Sequence, residues 1–154
     1  MHLNLIMKTD IRLISLISLL IVFSSILTSC HDDEDYAEVG TSWVYDNSKS
    51  SAIEDGEYII RNMGEYEALI DTPLPTGCNV DFNKNNLVIA KGHDVNEYDD
   101  IDVSATVDGN AYIINVTLIR GQLIRPAVEA WCVASVLPKI PDPTVRLNVK
   151  TSAH

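Results

Sequence analysis

The sequence predicts one α+β domain that is mostly antiparallel β-structure, a sandwich or an open barrel, with one short helix near its start. Three observations favour this class: apolar and polar residues alternate in the second half of the chain, a turn sequence joins two such runs, and residues 63–70 have helical spacing. With 154 residues, of which 46% are apolar, the chain is long enough for one hydrophobic core.

Two short strands and the helix are predicted first. Trp43-Val44-Tyr45 predicts an edge strand, and Glu57 to Arg61 predicts a second strand, because β-branched and aromatic residues are frequent in both. Asn62 follows, three residues before Glu65, which is the spacing of a helix N-cap and its capping partner. The next apolar residues recur at helical intervals: Met63, Tyr66, Leu69 and Ile70. We expect the helix to end before Pro73, a helix breaker.

Five further strands follow the helix. The clearest is the run of residues 101–107, which alternates apolar with polar side chains. Asp108-Gly109-Asn110 supplies a turn, and residues 111–119 return as the second strand of a hairpin. Leu87 to Ala90 is a short apolar run, which indicates a strand buried on both faces. The other two are a long apolar strand and an alternating closing strand, at residues 128–137 and 145–149.

Residues 1–29 predict a removable export signal. Lys8 and Arg12 give a short positive region, and the sixteen residues from Leu13 to Thr28 carry no charge. This run is shorter than the roughly 20 residues that a spanning helix needs. It suits the apolar region of a secretory signal, and an anchoring or buried helix is the alternative.

Cys30 is the predicted site of lipid attachment. Leu27-Thr28-Ser29-Cys30 resembles a bacterial lipobox, in which small residues precede the cleavage site and the thiolate of the cysteine takes up diacylglycerol. Two or more acyl chains, at about 0.8 kcal/mol per buried methylene, hold a soluble domain firmly on a membrane. We therefore expect a lipid anchor on Cys30 and no spanning helix.

Residues 30–42 predict an acidic tether before a single β-rich domain at residues 43–154. Five of the eight residues from His31 to Glu38 are acids, and charge at this density keeps a segment solvated. The run also resembles the surface-export signal of Bacteroidetes-type lipoproteins, which implies the outer face of the outer membrane; a periplasm-facing anchor is the alternative. The whole chain has a net charge of −11, so nucleic acid is not an expected partner.

Cys78 and Cys132 remain once Cys30 carries lipid. Paired thiols are usually joined in an oxidising compartment, so we predict a disulfide between them. The bond would close a loop of about 55 residues and stabilise the fold by roughly 4 kcal/mol. Two separate buried thiols are the alternative. Neither cysteine has the C-x-x-C spacing of a structural zinc site.

The sequence contains no recognised catalytic motif, so we predict a protein that is not an enzyme and needs no cofactor or metal. The sequence has no nucleophile elbow that His93 could activate, so we predict that His93 is an exposed residue at a strand end. A nearby acidic cluster could bind calcium, but a charged loop between strands explains it equally well: Asp94, Glu97, Asp99, Asp100 and Asp102. Trp43 and Trp131 could stack on a glycan, although the apolar strand around Trp131 favours the core.

Two stretches resemble a known family. Val80-Asp81-Phe82-Asn83-Lys84 before the 87–90 run, and Trp131 to Lys139 before the closing strand, look like the PrcB-type domain of protease-complex accessory proteins. The resemblance covers roughly residues 57–150. It implies a non-catalytic binding or accessory module that stabilises or modulates a partner such as a protease. It carries no site residues, and Val95-Asn96-Glu97 stands where the family has a Gly-Gly turn. A module that binds glycans or small ligands is the alternative.

Overall fold

Two β-sheets pack face to face, and a helix covers the far face of the larger sheet. The computed structural model describes residues 36–46, 53–70, 72–121 and 126–153. Within these residues it has one helix, α1 (Met63–Leu69), and seven strands. The strands are β1 (Ser42–Val44), β2 (Gly56–Ile60), β3 (Asn85–Asn96), β4 (Asp100–Asp108), β5 (Ala111–Arg120), β6 (Pro126–Pro138) and β7 (Thr144–Ala153).

The predicted fold class is confirmed in its sandwich form. The larger sheet has the order β1-β6-β3-β2 and is antiparallel throughout. The smaller sheet has the order β4-β5-β7, and its first two strands form the predicted hairpin around Gly109, which has φ 60. The described strands do not close into a barrel.

One pairing in the smaller sheet differs from the expected antiparallel arrangement, because β7 runs parallel to β5. The chain leaves β5, crosses to the larger sheet as β6 and then returns as β7. Two such passages restore the original direction, and parallel neighbours require a crossover of this kind.

The larger sheet has a hydrophobic core on each face. Alternate residues of β3 and β6 point to opposite faces, so Val88 and Val133 meet the smaller sheet while Ile89 and Ala134 face α1. All seven residues of β3 from Asn85 to Lys91 are buried, which confirms the strand predicted to be covered on both sides. The smaller sheet contributes the inward side of β5: Tyr112, Ile114, Val116 and Leu118.

Helix α1 begins with the predicted cap. The Oδ1 atom of Asn62 accepts a hydrogen bond from the Glu65 backbone N–H at 2.9 Å, and the Oε2 atom of Glu65 accepts one from the Arg61 N–H at 2.7 Å. Tyr66 and Ile70 are buried against the sheet. The Tyr45 hydroxyl donates to the Tyr66 hydroxyl at 3.2 Å, and burial raises the pKa of both groups.

The described part of the chain packs onto the domain earlier than the expected boundary at residue 43. Ala37 is buried, and its N–H donates to the Asn79 carbonyl at 2.6 Å. The Gly40 N–H donates to Val136 at 2.8 Å. Residues 36–42 are therefore part of the fold, and a tether can only precede them. No helix among the described residues is long and apolar enough to cross a membrane.

We predict that Gly92→Ala destabilises the sandwich. Gly92 pairs with Trp131 across β3 and β6, and a Cβ atom on it would lie 2.5 Å from Cζ2 of the Trp131 ring. Overpacking of this kind costs about 1–3 kcal/mol of unfolding free energy, which chemical denaturation measures.

The matched control is Thr106→Ala, at an exposed position of β4, which should change stability by about 0.5 kcal/mol or less. Trp131→Phe removes the ring atom that would clash, so Gly92→Ala should cost less in that background. Equal costs in the two backgrounds would contradict the explanation.

Candidate functional site

The two cysteines predicted to be bridged are free thiols in the structure. Cys132 lies on β6 in the core beneath α1, and Cys78 is half-buried in the loop that follows the helix. Burial raises the pKa of the Cys132 thiol to about 11 and also raises the pKa of Cys78. The structure therefore has the alternative of two separate thiols, while Cys30 and His31 lie outside the described residues.

His93 has an acidic partner, but no nucleophile contacts it in the part of the chain that the structure describes. It is exposed within β3 rather than at the strand end, and its Nδ1 lies 2.6 Å from Oδ2 of Asp55. No hydroxyl or thiol of the described residues is hydrogen-bonded to the His93 ring. A His–Asp pair orients an imidazole, but covalent catalysis also needs a nucleophile within hydrogen-bond reach.

The acids around residue 100 do not converge on a single point. Asp94 accepts hydrogen bonds from Nη2 of Arg120 at 3.0 and 3.1 Å. Desolvation raises the pKa of Asp94, but the bonds from Arg120 and from backbone amides outweigh it and hold the pKa below its usual value. The Oδ1 atom of Asp100 accepts from the Ile101 N–H at 2.8 Å. Within the described residues, no three His, Cys, Asp or Glu side chains are grouped so that they could hold a metal ion.

The two tryptophans are used for packing. Trp131 is only 3% exposed and lies between the sheets, against Gly92. Trp43 is half-buried and packs edge-on against Tyr45, with the ring centroids 6.1 Å apart. Trp131 therefore presents no exposed ring face on which a sugar could stack.

The best candidate for a binding surface is the outer edge of β7. This strand has ten residues, and β5 is its only strand partner among the residues that the structure describes. Val145 and Leu147 pack on the core between the sheets, but every residue from Asn148 to Ala153 is exposed. β4, at the other edge, lies beside β1 and β6. A long unpaired edge can accept a strand from another chain.

Charge is distributed unevenly over the outer face of the smaller sheet. β7 carries Arg146 and Lys150, whereas β4 carries three acids on exposed positions: Asp100, Asp102 and Asp108. Arg146 reaches Asp108 at 3.9 Å, and both side chains are mostly exposed, so this pair contributes little to stability. The free edge is thus basic in a chain with twice as many acids as bases.

Comparison of the chain with protein-family models, with curated proteins and with solved structures found no match. The alternating residues of β7 predicted a strand but gave no sign that it lies at an edge. Its position depends on the β6 crossover, which brings β5 and β7 together from residues more than 30 positions apart. The sequence indicated this surface only through two basic residues, Arg146 and Lys150, on the polar side of β7.

We predict that the reduced protein has two thiols of very different reactivity. In a Cys30→Ser chain, a maleimide at pH 8 should label Cys78 first, because only about one Cys132 thiol in a thousand is ionised at a pKa of about 11 and the side chain is fully buried. Mass spectrometry after timed quenching measures the order of labelling.

In guanidinium chloride both thiols should react at the same rate. Equal labelling rates in the native protein, or a purified chain that reacts only after treatment with a reductant, would contradict this assignment.

Proposed function

We propose that this protein is a lipid-anchored envelope protein, held on the outer membrane through Cys30, whose domain binds another envelope protein as a non-catalytic accessory module. The observation that carries the proposal is the free edge of β7. A strand of the partner would pair with β7 and extend the β4-β5-β7 sheet. The resemblance to protease-complex accessory domains makes a protease one partner of interest.

Backbone pairing supplies only part of the binding free energy. Five hydrogen bonds at a net 0.5–1.5 kcal/mol each give about 2.5–7.5 kcal/mol, and loss of translational and rotational freedom opposes this gain. Side chains must therefore add affinity and specificity. Arg146 and Lys150 lie four residues apart on one side of β7, so they favour a partner strand with acidic side chains at alternate positions on the same side.

The anchor explains how a modest interaction can be effective. A lipid on Cys30 keeps the domain and a membrane partner on the same surface, which raises their effective concentration. The exposed face and edge of the smaller sheet do not pack against the core, so a partner can bind there without disturbing the fold. Surface exposure outside the cell and a periplasm-facing orientation are both compatible with this arrangement.

We predict that a photo-cross-linking residue at Asn148 captures an envelope protein in intact cells. The matched control is Ser104, which lies in the same row of the sheet on β4, on the other side of Asn115. Both positions are exposed on the same face, so only the edge differs. The expected result is one discrete adduct from Asn148 and none from Ser104.

A Lys150→Glu substitution should weaken that adduct by roughly five-fold or more, because it replaces an attractive charge pair with a repulsive one. Equal adducts at Asn148 and Ser104, or no adduct at Asn148, would contradict the proposal that a partner binds this edge.

We predict separately that Cys30→Ser abolishes both the lipid-dependent mass increase and membrane retention, since it removes the thiol that carries the lipid. Fractionation and mass spectrometry measure the two effects. The matched control is Cys78→Ser, which should keep the lipid and the membrane location. A Cys30→Ser chain that keeps the lipid-dependent mass increase would disprove the anchor while leaving the β7 interface open to its own test.

A further inference from the structure

A polar cleft opens at one end of the four-stranded sheet. Arg61 follows β2, Asn86 lies at the start of β3, and Lys139 follows β6. The pairing of β2 with β3 and of β3 with β6 brings these three residues to the same end of the sheet. The connection from β6 to β7 completes the cleft, which has a volume of about 510 Å³, with Ile140, Asp142 and Pro143. This volume lies within the range of small-molecule sites.

Asn86 is a buried residue whose amide orientation is fixed by its neighbours. Its Nδ2 donates to the Tyr112 hydroxyl at 2.9 Å, and that hydroxyl donates to the Pro138 carbonyl at 2.8 Å. The hydroxyl has a single proton, which Pro138 takes, so the amide atom that faces Tyr112 must be the nitrogen. The Oδ1 atom of Asn86 is left buried, and it has no donor among the described residues.

Such an orphaned acceptor is unusual and destabilising. Asn86 is only 3% exposed, and most buried polar atoms in proteins have a hydrogen-bond partner. A donor supplied by a bound molecule would satisfy Oδ1. Asn86 lines the cleft, so a molecule bound there is the nearest source of such a donor.

Two cations of the cleft also lack an acidic partner. Neither Arg61 nor Lys139 forms an ion pair with any of the described residues. The Arg61 guanidinium has only a 3.4 Å contact, with the Ile59 carbonyl. Glu65 is close in sequence but is occupied by the helix cap, through Asn62 Nδ2 and the Arg61 N–H. Two basic side chains at one cleft favour an anionic ligand.

The cleft also contains one carboxylate. Asp142 lines it from the turn before β7 and has φ 42, a left-handed conformation that Asp tolerates better than most residues. The full set of groups is therefore two cations, one acceptor without a donor, and one carboxylate. A ligand that satisfies all four carries a carboxylate and a nitrogen donor close together.

We propose that this cleft binds an α-amino carboxylate, either a free amino acid or the carboxyl end of a peptide. Arg61 and Lys139 pair with the ligand carboxylate, and the ligand nitrogen donates to Oδ1 of Asn86. Asp142 attracts the positive charge when the nitrogen is an ammonium. Ile140 and Pro143 favour an apolar ligand side chain. This inference does not depend on the β7 edge.

The test is a titration of the ¹⁵N-labelled full chain in detergent micelles, followed through the side-chain amide signal of Asn86. The probes are L-leucine, N-acetyl-L-leucine and L-leucinamide. Saturable shifts are expected with at least one of the two carboxylates, at millimolar concentration or below, and not with leucinamide. Tighter binding of leucine identifies a free amino acid as the ligand, and tighter binding of N-acetyl-leucine identifies a peptide carboxyl end.

Arg61→Gln and Lys139→Gln remove one cation each from exposed positions, and at least one of them should raise Kd about ten-fold or more. The matched control is Lys150→Gln, which removes a cation of β7 and should leave Kd unchanged. The proposal is overturned by equal shifts with leucinamide, by no saturable shift up to about 20 mM, or by unchanged affinity in both cleft variants.

Discussion

The pairing of β3 with β6 is the constraint on which the rest of this fold depends. From Leu87 to Lys91 and from Trp131 to Leu137 these strands are buried on both faces. Two layers must therefore cover them, since apolar area left in water costs about 25 cal/mol per Å². The smaller sheet covers one face, and α1 with its flanking loops covers the other. Each layer buries its apolar side chains against this pair, which holds the layer in place.

Double-sided burial also determines which residues the pair can contain. Gly92 leaves room for the Trp131 ring, because a Cβ atom at that position would lie 2.5 Å from it. Lys91 is buried, and its ammonium donates to the Ile53 carbonyl, which ties the segment before β2 to the sheet. Ser135 is fully buried and forms a 2.7 Å hydrogen bond with Ser42 of β1. The polar residues of the pair thus attach edge segments to the centre.

Features set by neighbouring residues could be predicted from the sequence, whereas features set by distant contacts could not. The cap of α1 spans four residues, and the β4–β5 hairpin is determined by its own turn, so both were predictable. The parallel placement of β7 depends on a crossover of more than 20 residues. The hydrogen bond between Ala37 and Asn79 joins two loops that are distant in the sequence. The acidic residues around Ala37 predicted a solvated segment, so the burial of Ala37 could not be predicted. The amide orientation of Asn86 depends on its hydrogen bond to Tyr112, which lies 26 positions away in the sequence.

Both faces of the central strand pair are buried, so neither face offers a surface for binding. The basic residues of the domain fall into two groups, those paired with an acid in the packed structure and those at the cleft or on β7. Lys84 and Arg120 are paired with Asp81 and Asp94, at 3.2 and 3.0 Å. The remaining exposed cations of the described residues lie at the cleft or on β7: Arg61, Lys139, Arg146 and Lys150. In a protein with this excess of acid, carboxylates for surface pairing are abundant. Arg61, Lys139 and Lys150 nevertheless form no ion pair with the described residues, so surface pairing does not explain them. The strand ends at the cleft and the outer edge of β7 are parts of the two sheets that packing leaves open. Packing and charge therefore indicate the same two surfaces.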